Sequence, residues 1–303
     1  MNIDPKVFIV ILNFNSFKDT KECLFSLKQL KYSNHEIIVV DNSSTDGSYE
    51  KLKREFSTYN IIKCNENLGY ASGNNLGIKY ALKNNAEYIC ILNNDVIVES
   101  DFLDKIIEIM EEHKEIGVAG PCICKYNNKN IIQAMGAKIN LYTGLTQGKY
   151  KNYKYNEIPK ENSFVDYLGG ACFVCRRDVF EDIGLIPENY FLFFEETEFC
   201  YRASAKGYKL LCVYDSKIYH KGSSTISKYS GLSYYFLNRN RVIFIKRNAN
   251  MLEKTVFSIY IFIEVIGRII IRREPFSLIK NIIHGFKADT ENIDMETVNK
   301  FVK

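Results

Sequence analysis

The sequence predicts an α/β protein with a mixed, mostly parallel central sheet flanked by helices and a helical appendage at its C-terminal end. Three observations carry that expectation. Short apolar runs rich in β-branched residues alternate with segments of helical periodicity through the first part of the chain. Polar residues gather directly after three of those runs. The last stretch then turns strongly apolar, broken by isolated charges.

Val7–Asn13 (VFIVILN) reads as a strand buried on both faces. Cys23, Leu24, Leu27 and Leu30 follow at helical spacing, then Glu36–Asp41 (EIIVVD) forms a second buried strand. Tyr49, Leu52 and Phe56 mark the next helix, Ile61–Cys64 a short strand, Ala71–Asn84 a helix and Glu87–Leu92 (EYICIL) another strand. Ser100 is placed to cap the helix after it, with Asp101 and Asp104 in the first turn. Such repeated units pair in parallel through right-handed crossovers, and ligands bind beyond the carboxyl ends of the strands. Residues 125–162 have weak periodicity and read as a long loop or a few short strands near a substrate. Val165–Arg176 reads as one strand, Glu195–Lys206 as a helix, and KLLCVYD as a strand leading to His220.

Composition bounds the function. The hydrophobic and charged fractions are those of an ordinary globular protein, and 40 Lys and Arg against 36 Asp and Glu leave a net charge of only +4. That balance excludes a dedicated nucleic-acid binder. Cys172 and Cys175 spell C-x-x-C, but within a run of small and apolar residues that suits a buried strand better than a redox or zinc site. Nine scattered cysteines and no secretory signal suit a reducing, cytoplasmic setting. Met251–Ile271 is apolar but interrupted by Glu264 and Arg268, which makes a poor membrane span. Flanked by Lys246, Arg247, Arg272 and Arg273, residues 251–273 suit a helix in the interface at the inner face of a membrane, or a helical hairpin packed on the main domain.

The polar residues at the strand ends are the candidate site. Asn13 and Asn15 follow the first strand. Asp41 ends the second, in VVDNSSTDGS, where it could accept a hydrogen bond from a base while the turn holds a ribose or phosphate; an Asx turn needs no such ligand. Asn93, Asn94 and Asp95 follow EYICIL, and a carboxylate there could hold Mg²⁺ or Mn²⁺ against a diphosphate.

The ordered stretches VFIVILNFNS, VVDNSSTDGS, NENLGYASGNNLGI, LNNDV, GGACFVCRRDVFEDIG, YFLFFEETEFCYRASAKGY and YHKGSST followed by YYFLNRNR span roughly residues 6 to 247. In that order they resemble the family 2 glycosyltransferases, in particular the bacterial rhamnosyltransferase-like branch, with its Rossmann-like GT-A fold. The resemblance implies a catalytic domain over residues 1–247, with a nucleotide-binding part (1–124) and an acceptor and catalytic part (125–247), before a helical segment, 248–303. Asp41 and Ser43 would then bind the donor nucleotide, together with Asn13, Asn15, Asn67, Asn93 and Asn94. Asp95 matches the last acid of the family's D-x-D metal motif, although its first position here is Asn93, and His220 would supply a second ligand to Mg²⁺ or Mn²⁺. Glu196 takes the place of the family's catalytic aspartate, with Glu195 and Glu198 as competitors; Glu198 also has helical ion-pair spacing to Arg202. Arg239 and Arg241 could pair with phosphate oxygens or face solvent on a helix. Gly69, Gly73 and Asn74 would let the chain approach the donor, or serve helix packing.

The implied reaction is an inverting transfer from a nucleotide-sugar donor, dTDP-rhamnose or a UDP-sugar, to a hydroxyl of a glycan or lipid-linked glycan acceptor. A dinucleotide-dependent oxidoreductase is excluded because NFNSFKD, with no glycine, follows the first strand. A sugar nucleotidyltransferase, which needs a glycine-rich basic loop near its start, is disfavoured likewise. The Asn93 and Glu196 departures leave one rival, a catalytically inactive nucleotide-binding scaffold in a glycan-assembly complex.

Overall fold

A computed structural model describes residues 4–222 and 230–289 of the chain. Residues 223–225 of the YHKGSST stretch and 290–303 of the C-terminal segment lie outside the described residues.

The first half follows the expected alternation: β1 (Val7–Asn13), α1 (Phe17–Leu27), β2 (His35–Asp41), α2 (Ser48–Glu55), β3 (Asn60–Lys63), α3 (Gly69–Lys83) and β4 (Tyr88–Asn93). β1 runs parallel to both β2 and β4, and β2 is parallel to β3. Alternate residues of β1 feed opposite layers. Val7, Ile9 and Ile11 pack with α1 and the helix after β4, whereas Phe8 and Val10 pack beneath α3. A sheet covered on both faces explains the continuous apolar runs.

Next come β5 (Val96–Val98), α4 (Phe102–Glu112), β6 (Ile116–Lys125), β7 (Asn128–Ala134), β8 (Ala137–Asn140), β9 (Leu145–Gly148), β10 (Ser163–Val165), β11 (Cys172–Arg176), α5 (Arg177–Ile183), α6 (Glu195–Ala205) and β12 (Lys209–His220). The main sheet has the order β10-β12-β6-β11-β4-β1-β2-β3, with β5 added to β12 and β7 to β6. β11 enters antiparallel between β4 and β6, so the sheet is mixed. Residues 125–162 hold three strands, one of which joins the main sheet while β8 and β9 make a separate hairpin.

Two local expectations are corrected. Val165–Arg176 is not one strand: β10 and β11 pair with different partners, and residues 166–171, including Gly169 and Gly170, form a loop between them. The N-cap of α4 falls on Asp101 rather than Ser100, without a side-chain cap. All nine cysteines are buried and unpaired, and burial holds the Cys172 and Cys175 thiols well above their ordinary range, so C-x-x-C is core packing here.

Three helices close the described chain: α7 (Ser230–Asn248), α8 (Met251–Ile270) and α9 (Ser277–Lys287). Val242 to Ile245 of α7 form a third apolar cluster with Tyr190, Phe257, Ile261, Leu278 and Ile282, so α8 and α9 each bury one face. The opposite face of α8 is bare, with Leu252, Val256, Ile259, Ile263, Ile266 and Ile270 all exposed. Among the described residues, no helix is long and apolar enough to cross a membrane.

Candidate active site

The parallel strands deliver their polar ends to one edge. Asn13 and Asp41 are register neighbours, and Leu12 lies opposite Asn93. A chain of hydrogen bonds ties the ends together. Asn94 Nδ2 donates to Thr20 Oγ1 (2.9 Å), Thr20 Oγ1 to Asn13 Oδ1 (2.7 Å), and Asn13 Nδ2 to Asp41 Oδ2 (2.7 Å). Asp41 Oδ1 accepts the Ser44 N–H at 2.9 Å, and the aspartate is fully buried. Its first job is therefore to shape the turn after β2. Ser43 and Asn15, both at positive φ, lie above that turn with partial exposure, and Asn15 Oδ1 accepts the Thr45 N–H. Asn42, which the sequence reading passed over, donates to Asn67 Oδ1 and to the Gly69 carbonyl, so the β2 end holds the start of α3. Its signal was its place beside Asp41 at a strand's carboxyl end.

The two small residues of α3 separate in role. Gly69 has φ +79°, and a Cβ there would stand 2.7 Å from the Phe191 carbonyl oxygen. A Cβ on Gly73 would meet Leu12 at 2.5 Å, so that glycine seats α3 on β1. Asn74 is buried and donates to the carbonyl of Tyr70 in its own helix. Packing accounts for Gly73, while Asn74 Oδ1 is buried without a hydrogen bond.

Asp95, just beyond β4, meets His220 at the end of β12: Nε2 of the imidazole lies 3.2 Å from Asp95 Oδ1. Both side chains are largely enclosed, and His220 Nε2 makes no hydrogen bond. A buried ring nitrogen left without a partner beside a carboxylate suits a shared cation. Among the described residues, no group of three or more His, Cys, Asp or Glu converges in this way, so these two side chains would need oxygen ligands from a substrate.

The three glutamates at the start of α6 also divide. Glu198 is buried and bound by the Tyr190 hydroxyl, by Arg247 Nε at 3.1 and 3.0 Å, and by Asn248 Nδ2 at 3.1 Å. The spacing-based pair with Arg202 does not form; Arg202 donates instead to the Ile183 carbonyl. Glu195 is buried with Oε2 unbonded. Glu196 alone of the three lines a cavity of about 830 Å³, whose wall also includes Tyr167, Arg241, Glu264, Arg268 and Arg272. Its Oε1 accepts a hydrogen bond from Tyr167 Oη at 3.3 Å, its Oε2 has no partner, and burial raises its carboxyl above the ordinary range. Burial and the nearby Glu196 hold the Tyr70 and Tyr167 phenols well above their usual range, so both remain donors.

The backbone leading into α6 is strained, with Phe191, Phe193 and Phe194 at φ +67°, +67° and +77°. Residues held there cost about 1–3 kcal/mol each and persist where the surroundings over-determine them. Asn240 supplies that constraint, its Nδ2 facing the carbonyls of Tyr190, Leu192 and Phe193 at 3.1, 2.8 and 2.9 Å. Sequence reading singled out the arginines on either side of it. Both are buried, so the solvated helix face is overturned. Arg239 donates to Asn240 Oδ1, and Arg241 is committed to the Thr143 carbonyl and, through two nitrogens, to Glu264. Arg241 also lines the cavity that Glu196 faces.

The sequence model of the family described as "Glycosyl transferase family 2" matches residues 8–184. The chain is similar to the low-salt glycan biosynthesis hexosyltransferase Agl10 of Haloferax volcanii, with 28% identity over 64% of this chain and 60% of that protein's length. It is also similar to the dTDP-rhamnosyl transferase RfbF of Shigella flexneri, with 24% identity over 81% of this chain and 82% of that protein. Among solved structures, the mannosyltransferase PcManGT from Pyrobaculum calidifontis, in complex with GDP-Man and Mn²⁺, superposes with a TM-score of 0.58 at 12% identity. That match covers 94% of this chain and 80% of the other, and it places the fold in the GT-A class.

Proposed function

This chain belongs to glycosyl transferase family 2, and we propose that it transfers a sugar, with inversion, from a nucleoside-diphosphate donor to a hydroxyl of a glycan acceptor. The observation that carries this reading is Glu196, the one glutamate of three at the start of α6 that lines the cavity. A base needs a free lone pair within reach of the acceptor proton.

The donor nucleotide lies over Asn15, Ser43 and Asn67, whose shapes are set from below by Asn13, Asp41 and Asn42. Its diphosphate lies toward Asn93, Asn94 and Asp95. Asp95 and His220 would hold Mg²⁺ or Mn²⁺; when bound, such an ion offsets the charge that builds on the departing diphosphate. Glu196 accepts the acceptor hydroxyl's proton as its oxygen attacks the anomeric carbon from the face opposite the diphosphate, and the configuration inverts. Tyr167 keeps the carboxylate pointed into the cavity.

The relative named for dTDP-rhamnosyl transfer supports dTDP-rhamnose as the first donor to try, with UDP-sugars next. A setting in cell-surface glycan assembly, at the cytoplasmic side of a membrane, suits the bare face of α8. Lys254 lies in α8 and the exposed Arg272 and Arg273 follow its last turn, the charge an anionic lipid surface attracts. In a transfer assay with an alkyl glycoside acceptor, Glu196→Gln should lower kcat by about 10²–10⁴-fold while nucleotide binding persists. Turnover near that of wild type would overturn the choice of base.

A further inference from the structure

We infer that Gln133 sets the tautomer of His220, and by doing so makes it a ligand for a divalent cation; this rests on the reading of Asp95 and His220 above. Three observations meet at this residue.

The first is a bulge. On β7, Ala134 pairs with Ile123 and Ile132 pairs with Cys124, so two adjacent residues of β6 face three of β7. Gln133 is the extra residue. A bulge re-aims the side chain it carries, and such irregularities gather beside functional sites. The second is a contact: the Gln133 side-chain amide lies 2.7 Å from His220 Nδ1, reaching past β6 to the end of β12. The third is on the far edge of the ring, where Nε2 is buried without a hydrogen bond, 3.2 Å from Asp95 Oδ1.

A neutral imidazole carries one proton, on one nitrogen. Were it on Nε2, it would face Asp95 at an angle that makes no hydrogen bond, and a buried donor would be wasted. On Nδ1 it has a partner, provided the amide presents its oxygen. The two ends of a glutamine amide have the same outline, and a half-turn about the last torsion exchanges Oε1 and Nε2. His220 then donates from Nδ1 to Gln133 Oε1. Its Nε2 lone pair and the Asp95 carboxylate are left as two acceptors 3.2 Å apart, a pairing that is favourable only with a cation beside both. Ligating histidines commonly have their second nitrogen fixed in this way, and loss of the partner costs about 10–100-fold in metal affinity. Because Gln133 sits on β7, the strand that joins residues 125–162 to the main sheet, the arrangement of that segment is coupled to cation binding.

The test is Mn²⁺ affinity of the full chain, measured by calorimetry with UDP or dTDP present, alongside the ¹⁵N spectrum of the imidazoles, with the His220 signal assigned by its loss in His220→Asn. Gln133→Met, similar in length but without an acceptor, should weaken Mn²⁺ binding by about 10–100-fold. Gln133→Glu, which can only accept, should restore it, and the spectrum should show the His220 proton on Nδ1. Binding in Gln133→Met within twofold of wild type, or a proton on Nε2, would overturn the inference alone. No Mn²⁺ binding by the wild type with either nucleotide would overturn the metal reading, and this inference with it.

Discussion

Gly170 and Glu196 stand so close that a Cβ on Gly170 would lie 2.6 Å from Glu196 Oε1. The same glycine's carbonyl accepts the Tyr70 hydroxyl at 2.7 Å, which pins the loop beside the carboxylate. Gly170→Ala would therefore push the carboxylate rather than the backbone. Misplacing a reacting group by about 1 Å can cost on the order of 10²-fold in rate. Gly170→Ala should lower kcat by about that factor, with nucleotide affinity unchanged in equilibrium titration.

The raised carboxyl of Glu196 makes a claim about both pH and stability. Burial favours its protonated form, so the folded state holds this proton more tightly than the unfolded chain does. That contribution to stability is complete below the unfolded carboxyl value, about 4.3, and is lost as pH rises through the higher folded value. At pH 8 the wild type thus bears a penalty that Glu196→Gln lacks. The variant should unfold at a higher temperature than wild type at pH 8, with the gap closing near pH 4. Because the base must be ionised, the acid limb of kcat/KM should also lie above the ordinary glutamate range.

Asn240 Nδ2 faces the carbonyls of Tyr190, Leu192 and Phe193 in the strained segment before α6. Asn240→Leu leaves those carbonyls without their donor at a fully buried position, at about 1–3 kcal/mol for each unsatisfied group. Chemical denaturation should show a loss of at least about 2 kcal/mol. The kcat of the remaining folded protein should fall more than KM rises, since the segment positions Glu196.

The bare face of α8 should bring the protein to anionic vesicles. Phe262 and Ile263 are 68% and 63% exposed at its centre. Co-sedimentation with phosphatidylglycerol vesicles should weaken with added salt and vanish in Phe262→Glu/Ile263→Glu. Sedimentation that the double variant leaves intact would remove this face from consideration, and a dimer in light scattering that the variant abolishes would assign it to a second copy instead.

The central strands were legible because a strand covered on both faces must be apolar along its buried length, as Val7–Leu12 of β1, Ile37–Val40 of β2 and Tyr88–Leu92 of β4 are. The polar strand ends followed from the topology those strands imply. What local spacing does not carry is the identity of distant partners. Glu198 looked paired with Arg202, four residues on, yet it binds Arg247, 49 residues away. Arg239 and Arg241 read as phosphate ligands or as a solvated helix face, because nothing near them in the chain announces Glu264, Thr143 or the cover of α8. Tyr167, Gly170 and Gln133 acquire their places only when a loop and a bulge bring them to the site. Val165–Arg176 misled for the opposite reason: two short apolar strands with a glycine pair between them look like one.

On the proposed function, Asp95, His220 and Glu196 together move a sugar from a nucleoside-diphosphate donor. Release of nucleoside diphosphate from a panel of UDP-, dTDP- and GDP-sugars, with Mn²⁺ or Mg²⁺ and with EDTA, in the presence of lipid-linked and alkyl glycoside acceptors, tests it most directly. The prediction is release from one donor that EDTA stops and that Asp95→Ala and Glu196→Gln each abolish. Nucleotide binding without release from any donor, with every acceptor supplied, would contradict it and leave a nucleotide-binding scaffold.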